Sequence, residues 1–121
     1  MFLKLKHTSL DVFIHSRQLA LECYKVTKHF PPDEKFGMIS QIRRAALSVH
    51  LNIAEGCSRK SNVERCRYFE ISRGSIIEID TALDIANELE YCNIAGIEKL
   101  GQLIVNTFKM LSGMIHSSST H

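Results

Sequence analysis

Four basic residues, Arg59, Lys60, Arg65 and Arg67, fall within nine positions of one another. Guanidinium and ammonium groups at this density suit phosphate oxygens, and such contacts weaken steeply with salt because counterions are released on binding. Tyr68 and Phe69 are the aromatic neighbours, too few for extensive base stacking. The same four residues also fit an ordinary solvated turn. The charge around them is uneven. Residues 41–75 hold seven Lys or Arg against three Asp or Glu, and residues 76–121 hold two against six, within a net charge of only +2. Such asymmetry either attracts phosphates or draws complementary ends of neighbouring copies together.

Other reactive side chains lack a working pattern. Cys23, Cys57, Cys66 and Cys92 contain no CxxC spacing, and each lies in or beside an apolar helical run. They read as small, partly buried thiols rather than zinc ligands or redox pairs. His15 and His50 lack the lysine- and glycine-flanked setting of a phosphotransfer histidine. The Glu-x-x-His pairs of di-iron bundles are missing from the sequence. So are a glycine-rich phosphate loop and a Ser/Cys-His arrangement of recognisable spacing. The expectation is a non-enzymatic protein with no cofactor and no metal.

A second constellation is polar. Gln41, Arg44, Ser48, Asn52 and Glu55, with Arg59 just beyond, recur at steps of three and four and so share a helix face. Glu70, Arg73, Ser75, Glu78 and Thr81 form a candidate facing row. Gly74 sits inside that row, where close approach of another backbone would explain it. Opposed rows of this kind predict a hydrogen-bonded seam, built chiefly from Gln41, Arg44, Ser48, Asn52, Glu55, Arg73, Ser75 and Glu78, that fixes register.

These residues need helices to hold them. The chain of 121 residues is read as one domain spanning 1–121. Helical periodicity over Leu10, Phe13, Ile14, Ala20, Leu21 and Tyr24, with Ser9 as the cap, predicts a first helix at about 9–28. Pro31 and Pro32 stop it. Asp33 and Glu34 then suit the start of a second helix at about 33–56, with Phe36, Ile39, Ile42, Ala46, Val49 and Ile53 as its apolar face. Gly56 is expected to end it in a left-handed conformation. Ser61 and Glu64 fit a capping box opening a third helix at about 61–91, built on Phe69, Ile76, Ile79, Leu83 and Ala86. Asn93 caps a fourth at about 94–115, with Ile97, Leu100, Ile104, Leu111 and Met114 inward, and 116–121 is expected to fray. Short connections between long helices predict an all-α, antiparallel up-down-up-down four-helix bundle.

The helices carry more apolar surface than one bundle needs. Val12, Leu19, Cys23 and Val26 widen the first face, and Leu47, Leu51 and Ala54 the second. Ile71, Ile77, Ile85 and Leu89 widen the third, and Leu103, Phe108 and Ile115 the fourth. Faces this broad predict self-association. No apolar run approaches the ~20 residues of a membrane span, and no secretory leader is evident, so the expected location is the cytoplasm, with no membrane partner.

The motifs Phe30-Pro31, Glu34, Gln41 to Val49, Asn52-Ile-Ala-Glu-Gly56, Arg59, Arg73-Gly-Ser75 and Glu78 closely resemble a family of small four-helix bundles. That family is named for intervening sequences in bacterial 23S ribosomal RNA genes. The resemblance covers nearly the whole chain and is densest from Phe30 to about Ala86. It implies a homopentameric ring. A related branch, the accessory proteins of diversity-generating retroelements, is similar in fold and is associated with binding nucleic acid and a reverse transcriptase. The chain departs from the pattern at His50, where members often carry proline, and a straighter second helix follows. The functional expectation is an oligomer that binds structured RNA, such as rRNA, or a ribonucleoprotein through Arg59, Lys60, Arg65 and Arg67. The alternative is a scaffold or accessory subunit whose partner is another protein.

Overall fold

The structure is a computed structural model and describes residues 1–119. Among these residues the elements are four α-helices, α1 (Asp11–Thr27), α2 (Met38–Cys57), α3 (Asn62–Glu88) and α4 (Glu98–Ser119). Short 3₁₀ turns at Lys6–Ser9, Pro32–Glu34 and Ile94–Ile97 precede α1, α2 and α4. Helices α1 and α3 each pack on both α2 and α4. Ser16 meets His50 while Thr27 meets Arg43; Arg65 meets Cys57 while Ser75 meets Ser48.

Leu19, Ile42, Ile53, Phe69, Ile76, Ile79, Leu100 and Leu111 are fully buried along the bundle axis. Each contributes about 1.5–3 kcal/mol by leaving water. The inward faces of α2, α3 and α4 follow the predicted stripes, except that Phe36 lies before α2 and is exposed. Helix α1 is rotated from its predicted face. Its buried side is Val12, Phe13, Ser16, Leu19, Ala20, Cys23 and Thr27, while Leu10, Ile14 and Leu21 face outward. Ser16 and Thr27 lie on the buried line yet are polar. Each is satisfied by donating to a carbonyl of its own helix, Ser16 to Phe13 and Thr27 to Cys23.

Helix ends differ from expectation for local reasons. Ser9 donates to Lys6 within the first 3₁₀ turn rather than capping α1, which starts at Asp11. Pro32 opens a 3₁₀ turn, so α2 starts at Met38 instead of 33, although the Glu34 carboxylate still accepts from the Met38 amide at 3.3 Å. Ser61 accepts from Glu64 N at 3.1 Å and caps α3 as expected. That helix ends at Glu88, ahead of 91, because Glu90 turns to a φ of 64°. Asn93 caps the short turn at Ala95 N, which postpones α4 to Glu98. The predicted frayed tail is helical as far as Ser119, with Ile115 buried beneath its last turns; residues 120–121 lie outside the described part.

Candidate nucleic-acid interface

The basic cluster lies where α2 turns into α3. Gly56 stands in the last turn of α2 with ordinary helical backbone, contrary to the left-handed end expected of it. Close packing explains the glycine. A Cβ there would approach Phe69 Cε1 to 2.6 Å and Tyr68 Cβ to 3.1 Å. The two helices therefore meet almost backbone to ring, and the turn between them is tight.

Two of the four basic side chains are used inside this turn. Arg65 donates from one terminal nitrogen to the carbonyls of Cys57 and Arg59, at 3.1 and 3.2 Å, and its guanidinium lies over the Phe69 ring. It satisfies carbonyls that the end of α2 leaves without helical partners. Arg59 donates to Glu55 Oε2 and to the Tyr68 hydroxyl, both at 3.0 Å, with its guanidinium 5.0 Å from the centre of the Tyr68 ring. Lys60 and Arg67 are exposed and make no ion pair among the described residues. The cluster thus divides into an inner pair that stiffens the turn and an outer pair open to solvent.

Between α2 and α3, Ser48, Asn52 and Ser75 are joined by hydrogen bonds. Ser75 donates to Ser48 Oγ at 2.9 Å, and Asn52 donates to both the carbonyl and the hydroxyl of Ser48. Ser72, which the sequence reading passed over, donates to the Val49 carbonyl at 2.7 Å from a fully buried position. Its place at Ser75 minus three, on the same face, was the available clue. Gln41, Arg44, Glu55 and Glu78 lie outside this group, on the exposed surface. Arg73 turns the other way, donating to Ser112 on α4 at 3.1 Å with the Phe108 ring beneath it. Gly74 faces open space: among the described residues nothing beyond its own stretch of helix lies within 4 Å of where a Cβ would stand, contrary to the close backbone approach expected there.

The remaining reactive groups are held in quiet surroundings. All four cysteines are free. Burial pushes the Cys23 thiol up to about 12, with Glu22 adding to the effect. Burial also raises Cys57, Cys66 and Cys92 above the ordinary thiol value. Among the described residues no group of three or more His, Cys, Asp or Glu is placed to hold a metal ion. His50 is half-buried, with its ring 4.3 Å from that of Phe13, so it is not an exposed phosphate acceptor. No described helix is long and apolar enough to cross a membrane.

A four-helix protein with a stiffened basic turn and a central serine–asparagine seam is the class that fold and site define. The chain belongs to the 23S rRNA-intervening sequence protein family, whose model matches residues 8–113. In three dimensions it is similar to a protein of unknown function from the S23 ribosomal protein family of Bacteroides thetaiotaomicron. The TM-score is 0.76 at 22% identity, over 86% of this chain and 97% of that one. No curated protein matches the chain.

Proposed function

We propose that this protein is a non-enzymatic, self-associating helical bundle of up-down-up-down topology that contacts structured RNA or a ribonucleoprotein. The observation that carries the RNA reading is the division of the basic turn. Arg59 and Arg65 brace it, leaving Lys60 and Arg67 exposed on a fixed platform. The family's name, tied to 23S rRNA, supports rRNA as the ligand class. Contacts would be to backbone phosphates, since the nearby aromatic rings of Tyr68 and Phe69 are engaged by arginines of the same turn. Self-association is supported by apolar side chains left outside, Leu47 and Leu51 on α2, Ile71, Ile77 and Ile85 on α3, and Leu89 just past its end. A homopentamer in the cytoplasm is the assembly we propose, and repetition of the turn around a ring would multiply a modest charge.

The test is binding of the purified protein to a structured ribosomal RNA fragment across a salt series. Affinity should fall steeply with salt, and Lys60→Ala/Arg67→Ala should weaken binding and flatten the salt slope by about two. Absence of binding at low salt would remove the RNA reading. The exposed apolar side chains of α2 and α3 favour a second reading, a scaffold for another protein. A protein that co-purifies stoichiometrically and is lost with Leu51→Asp would support it.

A further inference from the structure

Three of the six acidic residues in 76–121 line one groove. Between the C-terminal half of α3 and the start of α4 lies an open cleft of about 590 Å³. Its walls carry Asp80, Asp84 and Glu98, and its lining includes Ile94, Ile97 and Val105. Ile94 and Val105 are 53% and 47% exposed. None of the three carboxylates is paired with a cation among the described residues. An apolar floor with unpaired acids on its walls suits a segment that alternates apolar and basic residues.

Such a segment exists in this chain at the other end of the bundle. Residues 1–5 precede the first 3₁₀ turn without regular structure, and Leu5 has extended backbone angles, φ −89° and ψ 167°. Phe2 is fully exposed, Leu3 is 65% exposed and Leu5 is 50% exposed. In extended backbone Leu3 and Leu5 share one face while Lys4 takes the opposite one. Lysine stems are long enough to lie along apolar surface and reach a charged rim. The segment borders the first turns of α1, near Ile14 and Arg17. The start of α4, by contrast, is tied to the later part of α1 through Lys99 and Glu22 at 3.7 Å. The groove is lined by α3, α4 and the connection between them, and by no residue of α1. The arm and the groove of one molecule therefore do not meet.

We infer that the arm of residues 1–5 docks in the α3–α4 groove of a second copy, Leu3 and Leu5 on its apolar floor and Lys4 and Lys6 beside Asp80, Asp84 and Glu98. This gives the proposed self-association, on which it rests, a specific interface. The contact joins unlike surfaces, one at each end of the molecule, so it repeats from copy to copy and closes into a ring when the rotation allows.

Sedimentation velocity on the full chain tests it. The unmodified chain should sediment as an oligomer. Leu3→Asp/Leu5→Asp should raise the concentration needed for assembly about tenfold or more. Because these residues are exposed, the helical circular dichroism should be unchanged. Lys4→Glu/Lys6→Glu and Asp80→Lys/Asp84→Lys should each lose assembly alone, and a single chain carrying all four substitutions should regain it. A chain carrying both Leu5→Cys and Val105→Cys should oxidise to an interchain disulfide that neither single variant forms. A monomeric unmodified chain would overturn both this inference and the self-association beneath it. An oligomer whose mass is indifferent to the arm variants, or a Leu5–Val105 bridge within one chain, would overturn the inference alone.

Discussion

The Ser16 hydroxyl lies 2.6 Å from Nδ1 of His50, joining α1 to α2. Ser16 spends its proton on the Phe13 carbonyl at 3.0 Å, so Nδ1 of His50 is the donor to Ser16 Oγ. Burial first, then Arg17 and His7, lowers the His50 pKa from its ordinary 6.5. The folded state therefore favours neutral imidazole. In the window below 6.5 the unfolded chain binds the proton more readily, so this stabilisation is complete above 6.5 and is lost as pH falls through the folded value. Urea unfolding midpoints should drop between about pH 7.5 and pH 5, and His50→Gln should reduce that drop. An equal drop in both proteins would count against the assignment.

Two helical glycines should respond to alanine with opposite signs. Gly56→Ala drives a methyl group against the Phe69 ring and should destabilise by about 1–3 kcal/mol, partly offset by better helix propensity. Gly74→Ala meets open space in the middle of α3 and should stabilise by about 1 kcal/mol. Chemical denaturation of the two variants reads both signs, and a shared sign would mean that one of the two environments is misassigned.

Thr107 is fully buried in α4, and its hydroxyl has no hydrogen-bond partner among the described residues. Valine has nearly the same shape without the polar atom. Thr107→Val should raise stability by about 1–2 kcal/mol, seen as a higher melting temperature. A lower one would imply that the hydroxyl has a partner in solution.

Within the basic turn, stability and ligand binding should separate. Arg65→Ala removes the donor to two carbonyls and should cost about 1–2 kcal/mol, and Arg65→Lys should recover little because a point charge does not replace the planar fork. Lys60→Ala/Arg67→Ala should change stability by less than about 0.5 kcal/mol while weakening RNA binding. If Arg65→Ala leaves the denaturation midpoint unmoved, its contacts are not bracing the turn.

Periodicity carried the sequence reading a long way where the inward residues are apolar. Phe69, Ile76, Ile79, Leu83 and Ala86 show the buried face of α3 directly. The reading failed on α1 because Ser16 and Thr27 stand on the buried line, and a search for apolar spacing settles on Leu10, Ile14 and Leu21 instead. A polar residue that satisfies itself on its own helix leaves no trace in a hydrophobicity pattern. The glycines mark a similar limit. Gly56 and Gly74 are the same letter, yet one is packed against Phe69 and the other faces open space, and that difference lies in tertiary contacts. At the candidate site, composition located the basic turn but could not divide it. Whether an arginine faces solvent or caps a helix end depends on which carbonyls the turn leaves beside it, as at Arg65.

The contact between Tyr91 and the α1–α2 connection has a consequence for how the bundle moves. The Tyr91 hydroxyl donates to Glu34 at 3.1 Å, and its ring lies 5.7 Å from that of Phe30, linking two connections 57 residues apart in the chain. The α1–α2 and α3–α4 hairpins are thereby hinged shut at that end. Opening at that end must first break this link. With the α2–α3 turn braced at the other end by Arg59 and Arg65, amide exchange should be fastest outside both ties, in residues 1–5 and the last turn of α4.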